Sequence, residues 1–193
     1  MNKSDRRLEV AEAAWRVIIR DGLNSTSMRA IAQELGSTTG VVTHHFRNKD
    51  ELMLFALDRV IQKTINQMQT SMEGLTGLDR LEKMVQAPLP LEPGDEVGWK
   101  IWVAFLGYAI GHEYLMEEHQ RRYAQISEVI SQELKYLQAA KLIRADIDLK
   151  LEANGLIALI DGIGTGFIVN PANFSPGQQK YLVQRYLYSL LLE

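Results

Sequence analysis

Cysteine is absent from the 193 residues, which excludes a disulfide framework, thiolate zinc sites, thiol redox chemistry and cysteine nucleophiles. That absence suits a reducing cytoplasm, the expected location. Proline is scarce, with five residues, so little of the chain is barred from helix. Long apolar runs are missing as well. The most apolar stretch, residues 155–169, carries Asp161 and falls short of the roughly 20 residues a membrane helix needs. The basic opening MNKSDRRLEV leads into Glu9 and Glu12 rather than an apolar run, so neither a secretory signal nor a membrane partner is expected.

Signatures of catalysis are lacking too. There is no Gly-x-Ser-x-Gly elbow, no phosphate loop and no Ser-His-Asp grouping that the sequence justifies. His112, Glu113, Glu117 and His119 suggest a metal site at first sight, but the HExxH pattern fails because position 116 is Met. Glu117, Glu118, Arg121 and Arg122 read as an intrahelical salt-bridge patch. The expectation is therefore no catalytic residue, no metal and no cofactor.

What the chain does contain is 46% hydrophobic and 23% charged residues, enough to bury roughly 70% of its unfolded surface without covalent staples. The net charge of −3 is unevenly placed. Residues 1–49 hold eight Lys and Arg against five Asp and Glu, a net of +3, which leaves −6 on the remainder. A basic N-terminal module on an acidic body points to a polyanionic partner.

Apolar residues recur at helical spacing almost throughout and sustained alternation at period two is absent, which predicts an all-α protein. Leu8, Ala11, Trp15, Ile18 and Ile19 mark a first helix, with Ser4 as N-cap and Gly22 as stop. Ser27 caps a short second helix with Met28, Ile31 and Leu35 on one face, closed by Gly36. Thr38 caps a third, in which Val42 and Phe46 form an inward pair. Asn48 then caps a long helix over 49–73, with Glu51 completing a capping box. Gly74 and Gly77 break it, and a short helix over 78–86 precedes the loop APLPLEPGD. Further helices are predicted over 97–114, 118–140 and 149–169. After the turn NPANFSPGQ, a last one is capped by Ser175, carries Pro176 in its first turn and runs to Leu192. No internal repeat and no low-complexity tail is present.

The second and third helices, joined through Gly36, describe a helix-turn-helix. Thr38, Thr39, Gly40, Thr43, His44 and Arg47 give the third helix a small, polar outer face that lets its backbone enter a DNA major groove. Three threonines at an exposed helix start are poor helix formers and need such a reason.

The stretch TSMRAIAQELGSTTGVVTHHFRNKDEL, residues 26–52, resembles the signature of the TetR family of bacterial transcriptional repressors. Its Arg29, Ile31 and Ala32, turn Gly36, Gly40, Phe46 and the Asn48–Lys49 step carry the likeness. The resemblance implies phosphate contacts from Ser27, Arg29, His45 and Lys49, and groove contacts from Thr38, Thr39, Gly40, Thr43 and His44. Two positions depart from the family: Ser37 stands where Val is usual, and Thr43 where Tyr is usual. The ending VVTHHFRNKDEL and the segment LEANGLIALIDGIGTGFIVNP are similar to the BetI-type subgroup. The resemblance implies a homodimeric repressor. Its DNA-binding domain is expected at 1–49 and its regulatory domain, for effector binding and dimerisation, at 50–193. A small-molecule effector would release it from a double-stranded, pseudo-palindromic operator. A DNA-binding activator or architectural protein shares the motif; a helical enzyme or small-molecule carrier is the other alternative.

Three further groups of residues bear on this reading. Trp99, Trp102, Phe105 and Tyr108, followed by His112, form an aromatic series suited either to core packing or to an effector cavity. Gly155, Gly162, Gly164 and Gly166 each cost roughly 1 kcal/mol in a helix interior unless another backbone or side chain comes close. Gly155, Gly162 and Gly166, with Leu159, Tyr186 and Leu190, mark the expected dimer interface; the glycine series follows no strand, so helix packing accounts for it better than nucleotide binding. Asp161, in an apolar helix, needs a partner, either across the dimer or on a ligand amine.

Overall fold

The computed structural model describes residues 3–191 except Asn24, with side chains from Asp5 onward. Among these residues the secondary structure is helical, without strands: α1 Lys3–Asp21, α2 Met28–Glu34, α3 Thr39–His45, α4 Lys49–Ser71, α5 Gly77–Gln86, α6 Glu96–Ala109, α7 Glu113–Ala139, α8 Leu149–Val169, a 3-10 turn Pro171–Asn173, and α9 Pro176–Tyr188. Ser4, expected as a cap, falls inside α1, and its side chain lies outside the described residues. Leu192, the expected end of the last helix, lies outside them too.

The chain divides into two compact units, residues 1–60 with 100–120, and residues 61–99 with 121–193. In the first unit Val10, Ala11, Ala13 and Ala14 of α1 meet Ile31 and Ala32 of α2, Val42 of α3, Phe46 and Leu52. Three small alanines let the short helices pack close to α1. Ala11 and Ile18 are buried as expected, and Val10, Ala14 and Val17 turn inward beside them, whereas Ile19 is 39% exposed. Gly36 adopts φ 65°, and Ser37 N–H bonds to Ala32 O at 2.9 Å while Gly36 N–H bonds to Gln33 O at 3.0 Å. This is a Schellman closure, and a Cβ at Gly36 would meet nothing within 4 Å, so the residue is required for its backbone angle alone. Arg16 and Arg20 both bond to Glu34, at 2.8 and 2.7 Å, tying α1 to α2 and holding the Glu34 carboxyl below its usual range.

In the second unit α5, α8 and α9 pack on one another around Leu81, Met84, Val85, Leu156, Ile160, Val183 and Leu187. Arg80 of α5 donates through Nε to both carboxylate oxygens of buried Glu133 of α7, at 2.9 and 3.0 Å. Gln179 of α9 is fully buried and donates to Pro90 O and Phe174 O, fixing the loop after α5. Ser175 and Gln178 form the reciprocal capping box that starts α9.

The boundary between α6 and α7 differs from expectation, whereas α8 occupies the expected residues 149–169. The helix expected over 97–114 stops at Ala109, because Gly111 takes φ 89° and α7 begins at Glu113. α8 has 21 residues, long and apolar enough by length and composition to cross a membrane, which its most apolar stretch, residues 155–169, is not. Its Ala153, Leu156, Ile157, Ile160 and Ile163 are instead packed into the second unit.

Candidate nucleic-acid interface

Ser27 opens α2 in extended geometry, and its Oγ accepts from Ala30 N–H at 3.1 Å, which leaves the hydroxyl proton to donate elsewhere. Thr38 opens α3, but its side chain makes no capping hydrogen bond. Val42 and Phe46 are fully buried, as the inward pair required. With that face fixed, Arg29, Thr38, Thr39, Gly40, Thr43, His44 and Arg47 are all exposed.

Each of these residues brings a particular chemistry. Thr43 Oγ1 donates to the carbonyls of Thr39 and Gly40, so its hydrogen is spent and its methyl and lone pairs remain. His44 and His45 stand edge to face, 5.1 Å between centroids; His45 is half-buried. A Cβ at Gly40 would touch only Thr38 Oγ1, at 3.6 Å, an ordinary contact. Nothing inside the protein demands glycine there, and the missing side chain opens the outer surface of α3.

The start of α4 departs from expectation in two ways. Asn48 Oδ1 accepts from Glu51 N–H at 2.8 Å as a cap should, but the Glu51 carboxylate accepts from Arg47 N–H at 2.9 Å, one residue before the reciprocal position. Lys49, expected on a phosphate, is half-buried, and its Nζ donates to Leu23 O at 2.8 Å over the ring of Tyr108. Burial moves its ammonium below the usual lysine range, against the opposing pull of Asp50. Lys49 thus fastens the turn before α2 to α4.

The aromatic series on α6 does not share a face. At three-residue spacing each step falls about 60° short of a full turn, so direction reverses between Trp99 and Tyr108. Trp99 packs its ring on Gly164 and donates Nε1–H to Pro88 O at 2.9 Å. Trp102 and buried Phe105 flank His119, at 6.1 and 5.7 Å. Tyr108 donates to Asp50, and His112 sits exposed in the Gly111 turn with Nδ1 2.8 Å from Tyr108 O. These five residues therefore have separate engagements rather than one wall.

The glycines of α8 sort by what approaches them. A Cβ would lie 2.2 Å from Tyr186 Oη at Gly155, 2.3 Å from the Trp99 ring at Gly164 and 2.5 Å from Phe174 at Gly166; at Gly162 it would meet nothing. At three of the four glycines the close approach is thus made by the same chain. Leu190, expected at the dimer interface, is 2% exposed because it closes the core of its own unit. Tyr186 likewise donates to Glu152 at 2.8 Å, while Leu159 is half-buried. Asp161 finds its partner within the chain, accepting from Tyr123 of α7; burial pushes its carboxyl up to about 6 and the tyrosine donor pulls the other way. Among the described residues no three His, Asp or Glu are grouped as metal ligands.

Comparison with known proteins bears directly on this helical pair and on the rest of the chain. The model for bacterial regulatory proteins of the tetR family matches residues 10–55, and that for BetI-type transcriptional repressors, C-terminal, matches residues 77–192. The chain belongs to the TetR family, BetI-type. It is 29% identical over 192 residues to the HTH-type transcriptional regulator PksA of Bacillus subtilis (strain 168), covering 97% of this chain and 91% of that protein. The regulator BetI of Vibrio parahaemolyticus is 25% identical over 189 residues, 94% of this chain and 90% of its own. A transcriptional regulator from Saccharomonospora viridis, solved in complex with choline, shares the fold with a TM-score of 0.86 at 23% identity, covering 98% and 99% of the two chains. This TetR-family member is a DNA-binding transcriptional regulator of the repressor type, and the family's members are not enzymes.

Two residues of the DNA-binding unit carry little signal in the sequence. Arg7 reads as one of several charges near position 1, although it stands three and four residues before Val10 and Ala11, on the stripe that α1 buries. Tyr108 stands in the sequence only as a member of the aromatic series, suited to core packing or to an effector cavity. Its bond to Asp50 spans 58 positions and leaves no local signal.

Proposed function

We propose that the protein is a homodimeric, ligand-responsive repressor acting in the cytoplasm. Two copies of α3 enter successive major grooves of a pseudo-palindromic operator about 34 to 36 Å apart. The observation that carries this reading is the outer face of α3. Its side chains are small, hydroxylated or imidazole-bearing, and its Gly40 is dispensable to the protein's own packing. Ser27 and Arg29 position the phosphates; Thr38, Thr39, Thr43 and His44 meet base edges, with His45 beside them. The functional division falls at residues 49/50, with residues 50–193 as the regulatory domain.

Dimerisation is supported by an exposed stripe on α8, where Leu151, Asn154, Ala158, Gly162 and Val169 recur at helical spacing, and by exposed Tyr181 and Tyr188 on α9. An effector acts only through its difference in affinity between the DNA-bound and released states. The choline complex of the S. viridis regulator supports a small-molecule effector for this chain as well, held in the regulatory domain.

The test is selection of genomic fragments by the purified protein, followed by footprinting at a stated salt concentration. An enriched pseudo-palindrome protected on two adjacent turns, over a promoter, is the expected result. Protection upstream of a promoter with increased transcription identifies an activator instead. No enrichment by folded protein at low salt overturns the reading.

A further inference from the structure

In the DNA-binding unit the Arg7 guanidinium lies over two aromatic rings at once, 4.6 Å from the Phe46 centroid and 5.0 Å from that of Phe55. The two rings are themselves edge to face at 5.4 Å. One Nη donates to Glu51 at 3.3 Å, and the other oxygen of Glu51 accepts from Arg47 N–H at 2.9 Å. Arg7 Nε is buried with no hydrogen-bond partner among the described residues. The group is therefore held by its faces and its outer nitrogen, a half-buried planar cation on aromatic surface.

The position of these contacts in the fold gives them their meaning. Phe46 ends α3, Arg47 follows it, Glu51 and Phe55 are in the first two turns of α4, and Arg7 is in the second turn of α1. One side chain thus locks the C-terminal end of the recognition helix against both helices that carry it. Rotation of α3 about its axis would unstack Phe46 from the guanidinium and pull Arg47 N–H from Glu51. From this juxtaposition we infer that Arg7 is a positioning residue for operator recognition: without touching DNA it fixes the angle at which Thr39, Thr43 and His44 meet the groove. The inference rests on the proposed entry of α3 into DNA.

Lysine keeps the charge of arginine and loses its plane, so Arg7→Lys separates the two roles. Binding of the selected operator and of unrelated DNA is measured over a range of salt concentrations, together with amide hydrogen exchange at Phe46 and Arg47. In Arg7→Lys, operator affinity falls about three- to tenfold, with unchanged salt slope and nearly unchanged affinity for unrelated DNA. Exchange at the two amides accelerates. Phe55→Leu, which removes one ring of the stack and no charge, shifts the same quantities in the same direction and serves if Arg7→Lys does not fold. A salt slope lowered by about one in an Arg7→Gln variant, with parallel loss on unrelated DNA, makes Arg7 a phosphate contact and overturns the inference. Unchanged affinity and exchange in Arg7→Lys and Phe55→Leu also overturn it. Wild-type protein that selects no DNA defeats the underlying functional reading instead.

Discussion

Tyr108 donates a 2.6 Å hydrogen bond to Asp50, and its ring lies 5.1 Å beneath the ammonium of Lys49. A single α6 side chain thereby holds both residues that begin α4, and Lys49 extends the connection to Leu23 O before α2. Burial and the neighbouring carboxylate push the phenol up to about 12, so the proton that makes the bond stays on Tyr108 throughout the physiological range. Tyr108→Phe retains the ring and deletes the donor to a charged acceptor, for an expected cost of about 1–2 kcal/mol. In a chain of this size that lowers Tm by about 4 °C. A double-mutant cycle with Asp50→Asn should return a coupling of about 1 kcal/mol; strictly additive single effects would show that the bond contributes nothing.

Gly40 separates folding from recognition. Alanine fits the space and relieves the helix of glycine's backbone entropy, so Gly40→Ala should gain about 0.5–1 kcal/mol in stability. The added methyl stands on the outer face of α3, and operator affinity should fall at least about tenfold. Thermal melting and footprint titration on the same preparation check both halves. A variant that is more stable and binds equally well removes the close approach of this helix to DNA.

Asp161 makes stability depend on pH in a direction opposite to that of a salt-bridged carboxylate. Its folded value of about 6 lies above the unfolded value of 3.8, so between these limits the native state holds more protons than the unfolded chain. Stability therefore falls as pH rises from about 4 to 6 and stays reduced above that. Asp161→Asn retains an acceptor for Tyr123 and has no charge to bury. It should raise stability by about 1–2 kcal/mol at pH 7.5, with the gain vanishing near pH 4. Melting curves of both proteins across that range test the sign; a gain independent of pH would place its origin elsewhere.

What could be read from the chain and what could not divides by range along it. Ser27, Gly36 and the Ser175–Pro176 start act within a few residues, through one hydrogen bond or one backbone angle, and each terminates or begins its helix where the pattern placed it. Gly111 deceived because a glycine inside an apolar stretch reads as a tolerated helical residue until its φ is known. The aromatic series on α6 left core packing and an effector cavity both open for a geometric reason: three-residue spacing resembles a stripe in one dimension and a spiral in three. The glycines of α8 announced close packing, but the partners Tyr186, Trp99 and Phe174 belong to the same chain, and no spacing distinguishes them from a second subunit. Arg7 and Phe46 are 39 positions apart, joined only once the three short helices are assembled.

That distinction among the α8 glycines yields a contrasting pair of substitutions. At Gly164 a Cβ would lie 2.3–2.4 Å from three atoms of the Trp99 ring, which is itself fixed by its bond to Pro88 O. Gly164→Ala must displace a large, nearly buried side chain, at an expected cost of about 1–3 kcal/mol seen as a lower Tm. At Gly162 the chain offers open space on the exposed stripe with Leu151, Ala158 and Val169. Gly162→Gln should leave the helix content intact and, by adding bulk where a second copy would pack, weaken a two-fold interface twice over. Sedimentation velocity across a concentration series reads the outcome: a shift toward monomer in Gly162→Gln places the subunit contact on this stripe. An unaltered dimer assigns the contact to a different surface of the protein.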